Sequence, residues 1–370
     1  MKFDEEYFKS EEFQELLSSY EESLETGNTP FLDVDDLVDL ADYYNFIGDY
    51  DQAIEIVDDA LELYPNDTLL NVFKARQALA DFDFDAAQGF ADAIEDREAP
   101  DYHYLVAEIT IARGHIDEAD RYLRDLFLTM PADEVLDYVK DVANLYVDYG
   151  VYDKSYEWML RSPKDDSDDF KELMARSLVG VGRYKEAQQL FNELLDHNPY
   201  STLYWNALAS AQFMDEDYSG AVTSCGYALA IDPEAPESQL TMANGLMQLG
   251  NYEEAADYYQ RYLQQAPDDA NAYVMLGHVW LSMGKVSDAL PMFQAAVVCA
   301  PSDDQAIISA AHAYMALCYL ENGQRGYFLL NLEKAAANRP DEARIILGHL
   351  FPEGMDPAEY YEYMLKKLLV

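Results

Sequence analysis

The chain has 370 residues, of which 50% are hydrophobic, and its 71 acids against 24 bases give a formal net charge of −47. Nucleic acids require a basic surface, and an anionic membrane would repel this chain, so neither is an expected partner. The length favours several domains or a repeat array. The three cysteines show no metal-binding spacing, and neither a signal peptide nor a long apolar run is apparent, which predicts a cytoplasmic protein.

The first predicted element is an amphipathic helix from residue 3 to residue 25. It differs from the repeats that follow, as a terminal cap should, because an end element must keep one polar face in water. Residues 1–33 are therefore predicted to form an N-terminal capping helix and a link.

A short phrase then recurs along the chain: a glycine, often a tyrosine two positions later, and a small residue three positions after that. It begins at Gly48, Gly114, Gly150, Gly182, Gly250 and Gly284. Four prolines, at positions 199, 233, 267 and 301, lie 34 residues apart. Glycine allows the left-handed backbone that ends a helix, and proline stops the next helix. Each period thus predicts a helix A, a turn, a helix B and a short link.

With this pattern the sequence resembles bacterial-type soluble tetratricopeptide repeat (TPR) arrays. The small residue that the family places in helix A appears as Ala41, Ala75, Ala107, Ala143, Ala175, Ala209, Ala243, Gly277 and Ala311. The resemblance implies an all-α fold, an α-solenoid of antiparallel helix pairs in a right-handed superhelix. Nine repeats are predicted over residues 34–340: 34–67, 68–99, 100–135, 136–167, 168–201, 202–235, 236–269, 270–303 and 304–340.

Several segments depart from the pattern. The second repeat has Phe82 where the turn glycine is expected, the fourth is short, and the ninth has extra residues that predict a longer helix A. The acidic link at residues 163–169 is a candidate hinge, and the alternative is a solvated turn inside one continuous solenoid. Residues 341–370 are predicted to form two C-terminal capping helices, over residues 341–349 and 357–369.

In the family, helix A lines the concave surface, so the resemblance implies a binding groove on that side. The later repeats combine polar and apolar residues there, suited to the backbone and side chains of an extended peptide, although the apolar ones could instead pack on the next helix. The predicted partner-binding residues are Asn206, Ser210, Phe213, Asn244, Met247, Asn271, His278, Leu281 and His312.

The acidic residues concentrate at the front of the chain, with 28 acids and 5 bases in residues 1–100 against 11 and 7 in residues 271–370. Two interpretations are open. The acids keep the protein soluble, or they steer a basic partner segment into the front groove, where Asp35, Asp42, Asp101 and Glu108 would lie.

No catalytic motif accompanies the repeats, and no cofactor or metal site is predicted. His278 and His312 occupy equivalent positions of neighbouring repeats, but they lack a suitable third ligand. The sequence therefore predicts a non-catalytic scaffold or adaptor that binds other proteins or extended peptides. The alternative is a regulatory sensor that binds a short peptide or small ligand through the same groove.

Overall fold

The computed structural model describes residues 5–26, 32–162 and 165–369. Over these ranges the protein contains helices, turns and loops but no strand, as the all-α prediction requires. None of the described helices combines the length and the apolar composition needed to cross a membrane.

The chain forms two compact units, which divide between Asp165 and Asp166. The candidate hinge at residues 163–169 contains this division, and residues 163–164 lie outside the described residues. A flexible hinge and the superhelical handedness stay predictions.

The first unit contains two N-terminal helices and then four antiparallel pairs of an A and a B helix. The helices are α1 Glu5–Phe8, α2 Glu11–Thr26, α3 Val34–Phe46, α4 Tyr50–Leu63, α5 Thr68–Ala80, α6 Phe84–Ala93, α7 Pro100–Ala112, α8 Ile116–Phe127, α9 Val135–Asp148 and α10 Tyr152–Met159. The fourth pair is short because α10 has 8 residues, as predicted.

The second unit contains five further pairs and the C-terminal cap. Its helices are α11 Asp168–Gly180, α12 Tyr184–His197, α13 Thr202–Met214, α14 Tyr218–Ile231, α15 Pro236–Gln248, α16 Tyr252–Gln265, α17 Ala270–Ser282, α18 Val286–Cys299, α19 Gln305–Glu321, α20 Arg325–Asn338, α21 Pro340–Leu347 and α22 Tyr360–Leu369. Short 3₁₀ helices at Gly348–Leu350 and Pro357–Glu359 flank the loop between α21 and α22. The 17 residues of α19 confirm the longer ninth helix A.

The small residues of helix A lie where the two helices of a pair touch. All eight alanines of this set are fully buried. At Gly277 an added Cβ would lie 2.6 Å from the ring of Phe293, which is buried and stacked on Tyr314. The ninth member of the set is therefore glycine because the facing aromatic ring occupies the space of a methyl group.

The A-to-B turns have the residues that the sequence pattern predicts, except at one position. Glycines with positive φ close seven of the nine A-to-B turns, and the remaining two are closed by Phe82, φ 59°, and Glu216, φ 62°. Phe82 was recognised as a departure, whereas Glu216 was not.

Many aspartates in this acidic chain have a structural task at helix N-termini. Among the described α-helices, seven begin with an aspartate whose carboxylate accepts a backbone N–H of the first turn: Asp33, Asp49, Asp67, Asp83, Asp217, Asp269 and Asp304. Such caps satisfy donors that the helix leaves free. Part of the negative charge therefore stabilises helices.

The prediction of a single N-terminal helix is wrong within the described residues, because the helix breaks into α1 and α2. Ser10 Oγ accepts the backbone N–H of Phe13 at 3.2 Å, and the Gln14 side chain donates to the carbonyl of Phe8 at 2.7 Å. The break lets the rings of Phe8 and Phe13 approach to 5.0 Å and enter the core. Residue 3, where the helix was predicted to begin, lies outside the described residues.

Candidate functional site

The A helices form the inner face of each unit. In the second unit α13 packs on α15 and α17 packs on α19, whereas no two successive B helices of the described chain show comparable packing. A stack of helix pairs curves toward the side on which neighbouring helices are closer. The predicted groove residues of the second unit all belong to A helices, and their common position on this inner face stays a prediction.

The nine predicted groove residues differ in their accessibility. Ser210 and Asn271 are exposed, and His312 is buried. The remaining six are partly exposed: Asn206, Phe213, Asn244, Met247, His278 and Leu281.

Two asparagines of the groove are already bonded within the fold. The amide oxygen of Asn206 accepts the Ser238 hydroxyl, and that of Asn244 accepts the Tyr259 hydroxyl, each at 2.5 Å. Tyr259 is fully buried, and its hydroxyl also approaches the Met247 sulfur at 3.9 Å. Removing the Asn244 side chain would therefore disturb the core as well as the groove.

His312 was predicted to lie on the groove surface, and this prediction is corrected by its burial. Its ring is 7% exposed, and Nδ1 hydrogen-bonds to Oδ1 of Asn331 in α20 at 2.9 Å. Burial lowers the pKa of both His312 and His278, so both rings are neutral at pH 7. In the part of the chain that the structure describes, no three side chains of metal-binding type converge.

One position near the end of each helix A, 34 residues or so from its equivalent in the next repeat, is apolar from Leu79 onward, and its burial differs along the chain. Leu79, Ile111, Val147 and Met315 are buried against neighbouring helices. The other apolar members, Val179, Phe213, Met247 and Leu281, are only partly buried, and Met247 and Leu281 also pack against core clusters. The packing interpretation is therefore confirmed for the buried members, and contact of the partly buried members with a partner stays a prediction.

The four acids predicted in the front groove are not equivalent. Asp35 is exposed and Asp101 is half-buried. The Glu108 side chain is only 12% exposed, because it pairs with Arg76 at 3.0 Å and accepts the Tyr149 hydroxyl at 3.3 Å. Glu108 is therefore an internal anion of the first unit.

Asp42 is half-buried between acidic and basic neighbours. Burial raises the pKa of its carboxyl to about 6, the nearby Asp39 adds to the rise, and Arg76 opposes it. The folded protein thus retains this proton at a pH where the unfolded chain has lost it. Stability contributed by the protonated carboxyl falls as the pH rises from about 4 to about 6.

Asp42→Asn is therefore expected to raise the free energy of unfolding at pH 7.5 by about 1–3 kcal/mol and to leave it nearly unchanged at pH 4. Urea denaturation at the two pH values measures the difference. The exposed Asp35→Asn is the control, with little change at either pH. An equal gain from Asp42→Asn at both pH values would contradict the burial argument.

A tetratricopeptide repeat family model matches residues 173–236 and 240–304, and a second tetratricopeptide repeat model matches residues 34–82. The chain is a tetratricopeptide repeat protein.

Relatives of this TPR protein share the repeat at low identity. It is 22% identical over 224 residues to the TPR repeat-containing protein YpiA of Bacillus subtilis (strain 168). That match covers 58% of this chain and 51% of YpiA, so the chain spans about half of the relative's length.

Two solved structures resemble parts of the TPR protein. MamA of Desulfovibrio magneticus RS-1 is 18% identical with a TM-score of 0.44, covering 47% of this chain and 96% of its own. YrrB, described as a TPR protein with an unusual peptide-binding site, is 19% identical with a TM-score of 0.44, covering 54% and 96%.

Proposed function

We propose that the protein is a non-catalytic scaffold that binds a segment of a partner protein on the inner face of its second unit. The observation that carries this proposal is the accessible row of Phe213, Met247 and Leu281, which lies beside polar side chains of the same helices. Residues of this row are 34 positions apart, so each repeat offers one apolar contact.

The spacing of these contacts suits an extended segment. Packed helices lie about 8–10 Å apart, and an extended chain advances about 3.3 Å per residue, so every third partner residue would meet one repeat. Methionine adapts its shape to different side chains. Ser210 and Asn271 are exposed and offer hydrogen-bonding groups to the partner backbone.

Charge and thiol chemistry complete the proposal. With a net charge of −47, the chain is better suited to a protein partner than to a nucleic acid. The three cysteines are free thiols, as in proteins of a reducing compartment, and we propose a cytoplasmic location on that basis.

Capture from a cell lysate at moderate salt, with three versions of the chain, tests the groove. The groove variant combines Ser210→Glu with Asn271→Glu, which adds two charges to the inner face. The control combines Thr223→Glu with Gln294→Glu, exposed positions on the B helices α14 and α18. Because both variants add the same charge, a difference between them in partner binding is caused by the position of the charge on the inner face.

The partner is expected to bind the native chain and the control alike, and to bind the groove variant at least about tenfold more weakly. Equal binding to all three versions would place the site elsewhere. The captured ligand also separates scaffold from sensor, because a protein identifies the former and a short peptide or small molecule the latter.

A further inference from the structure

Phe82 has a backbone conformation that is unusual for an aromatic residue. It closes the turn of the second helix pair at φ 59°, where seven other pairs have glycine. A bulky residue in this left-handed region is a steric outlier. Its side chain is 79% exposed, so packing within the chain does not offset the strain.

Phe82 is one of the residues that line a cavity of about 230 Å³ in the first unit. The buried Leu79 and Ile111 line it together with the partly buried Ile116 and Val151. This volume is below the roughly 300–1,000 Å³ of sites that enclose small-molecule ligands. It suits one bulky apolar side chain.

The turns around this cavity are strongly acidic. Residues 81–85, 112–118 and 148–154 together contain seven acids and two bases, Arg113 and Lys154. Arg113 pairs with Asp85 at 3.3 Å, and Lys154 pairs with the buried Asp120 at 3.2 Å. Both cations are therefore engaged within the fold, and the field outside the cavity favours a cationic ligand.

We propose that this cavity, the turn-edge pocket, binds a partner-protein segment in which one bulky apolar side chain is flanked by lysine or arginine. Phe82 would cover the inserted side chain, and the surrounding acids would attract its basic neighbours. The pocket lies in the first unit and does not depend on the groove proposed for the second unit.

The pocket can be tested with a probe of this chemistry, a short peptide with one phenylalanine between two pairs of lysines. In methyl-labelled protein, the Ile111 and Ile116 signals report directly on the cavity. The peptide is expected to shift both signals in a saturable manner. The same peptide with alanine in place of phenylalanine is expected to bind at least about tenfold more weakly.

Phe82→Gly separates a binding role from a structural role. Glycine relieves the left-handed strain and removes the ring, so the variant is expected to melt at a higher temperature and to bind the peptide at least about tenfold more weakly. Glu216→Gly relieves the same strain in the second unit. It should raise the melting temperature without changing peptide binding.

The acidic rim is tested by Asp81→Asn with Glu118→Gln, two exposed positions that cap no helix N-terminus. Binding of the lysine peptide should weaken at low salt, and the difference from the native chain should shrink at high salt. Unshifted isoleucine signals, equal binding of the alanine peptide, or destabilisation by Phe82→Gly would each overturn the proposal. Self-association of the chain that Phe82→Gly abolishes would also overturn it, in favour of a second copy as occupant.

Discussion

Replacing Asp120 with alanine is expected to lower the free energy of unfolding of the first unit by about 3–5 kcal/mol. Asp120 lies in α8 and is 3% exposed. Its carboxylate is 2.6 Å from Arg124 Nη2 and 3.2 Å from Lys154 Nζ, and it accepts the indole N–H of Trp158 at 2.9 Å. Removing this carboxylate leaves the buried indole N–H of Trp158 without its acceptor and takes from Lys154 and Arg124 their buried acidic partner, which costs more than the net stabilisation that the interaction provides.

Asp117→Ala is the matched control on the same helix. Asp117 also faces Lys154, at 3.7 Å, but its side chain is 93% exposed, and surface ion pairs contribute about 0–1 kcal/mol. Urea denaturation followed by circular dichroism measures both variants. Equal effects of the two substitutions would show that the burial of Asp120 does not increase its contribution to the free energy of unfolding.

Ala243→Leu is expected to destabilise the second unit by about 3 kcal/mol, at the upper end of the cost of overpacking a core. Ala243 is fully buried in α15 and packs in one cluster with Cys225 and Tyr259 from the neighbouring B helices. A leucine adds three carbon atoms to this filled cluster, which also contains the Tyr259 ring, whose hydroxyl is bonded to Asn244. The added side chain would therefore disturb both the core and the groove.

Gln248→Leu is the control, because it introduces the same leucine at an exposed position near the end of the same helix. It reports the effect of an added leucine on solubility and helix propensity alone. Thermal unfolding of the two variants gives the comparison, and the control should stay near the native melting temperature. If Ala243→Leu has the same melting temperature as the native chain, the A–B contact assigned to this repeat is incorrect.

The repeat and its alternation of two helices and a turn could be predicted because the signals that encode them are local. A glycine at the turn acts through its own φ angle, as at Gly250, and an alanine at the pair contact acts through its own size, as at Ala243. These constraints recur every 34 residues or so, and repetition makes a weak local signal strong. They fixed the nine pairs and the family from sequence alone.

The accessibility of individual side chains was decided by tertiary structure. His312 and His278 have the same position in their repeats, yet His312 is buried because Asn331 of α20 holds it inward. The Glu108 side chain is only 12% exposed and is already paired with Arg76 of the preceding repeat. The pattern specifies which face a residue occupies, but its neighbours on other helices decide whether it remains available.

At the turn of the second repeat, Phe82 also has one property that the sequence indicates and another that only the fold decides. The sequence marked it as a departure from glycine, but only the fold showed that its ring is exposed beside a cavity built from three successive helix pairs. That cavity joins side chains from residue 79 to residue 151, which a 34-residue pattern treats as separate repeats. Local chemistry therefore determined the helical repeats, and the packing of successive repeats determined which side chains stay accessible, because each surface is shared between neighbours.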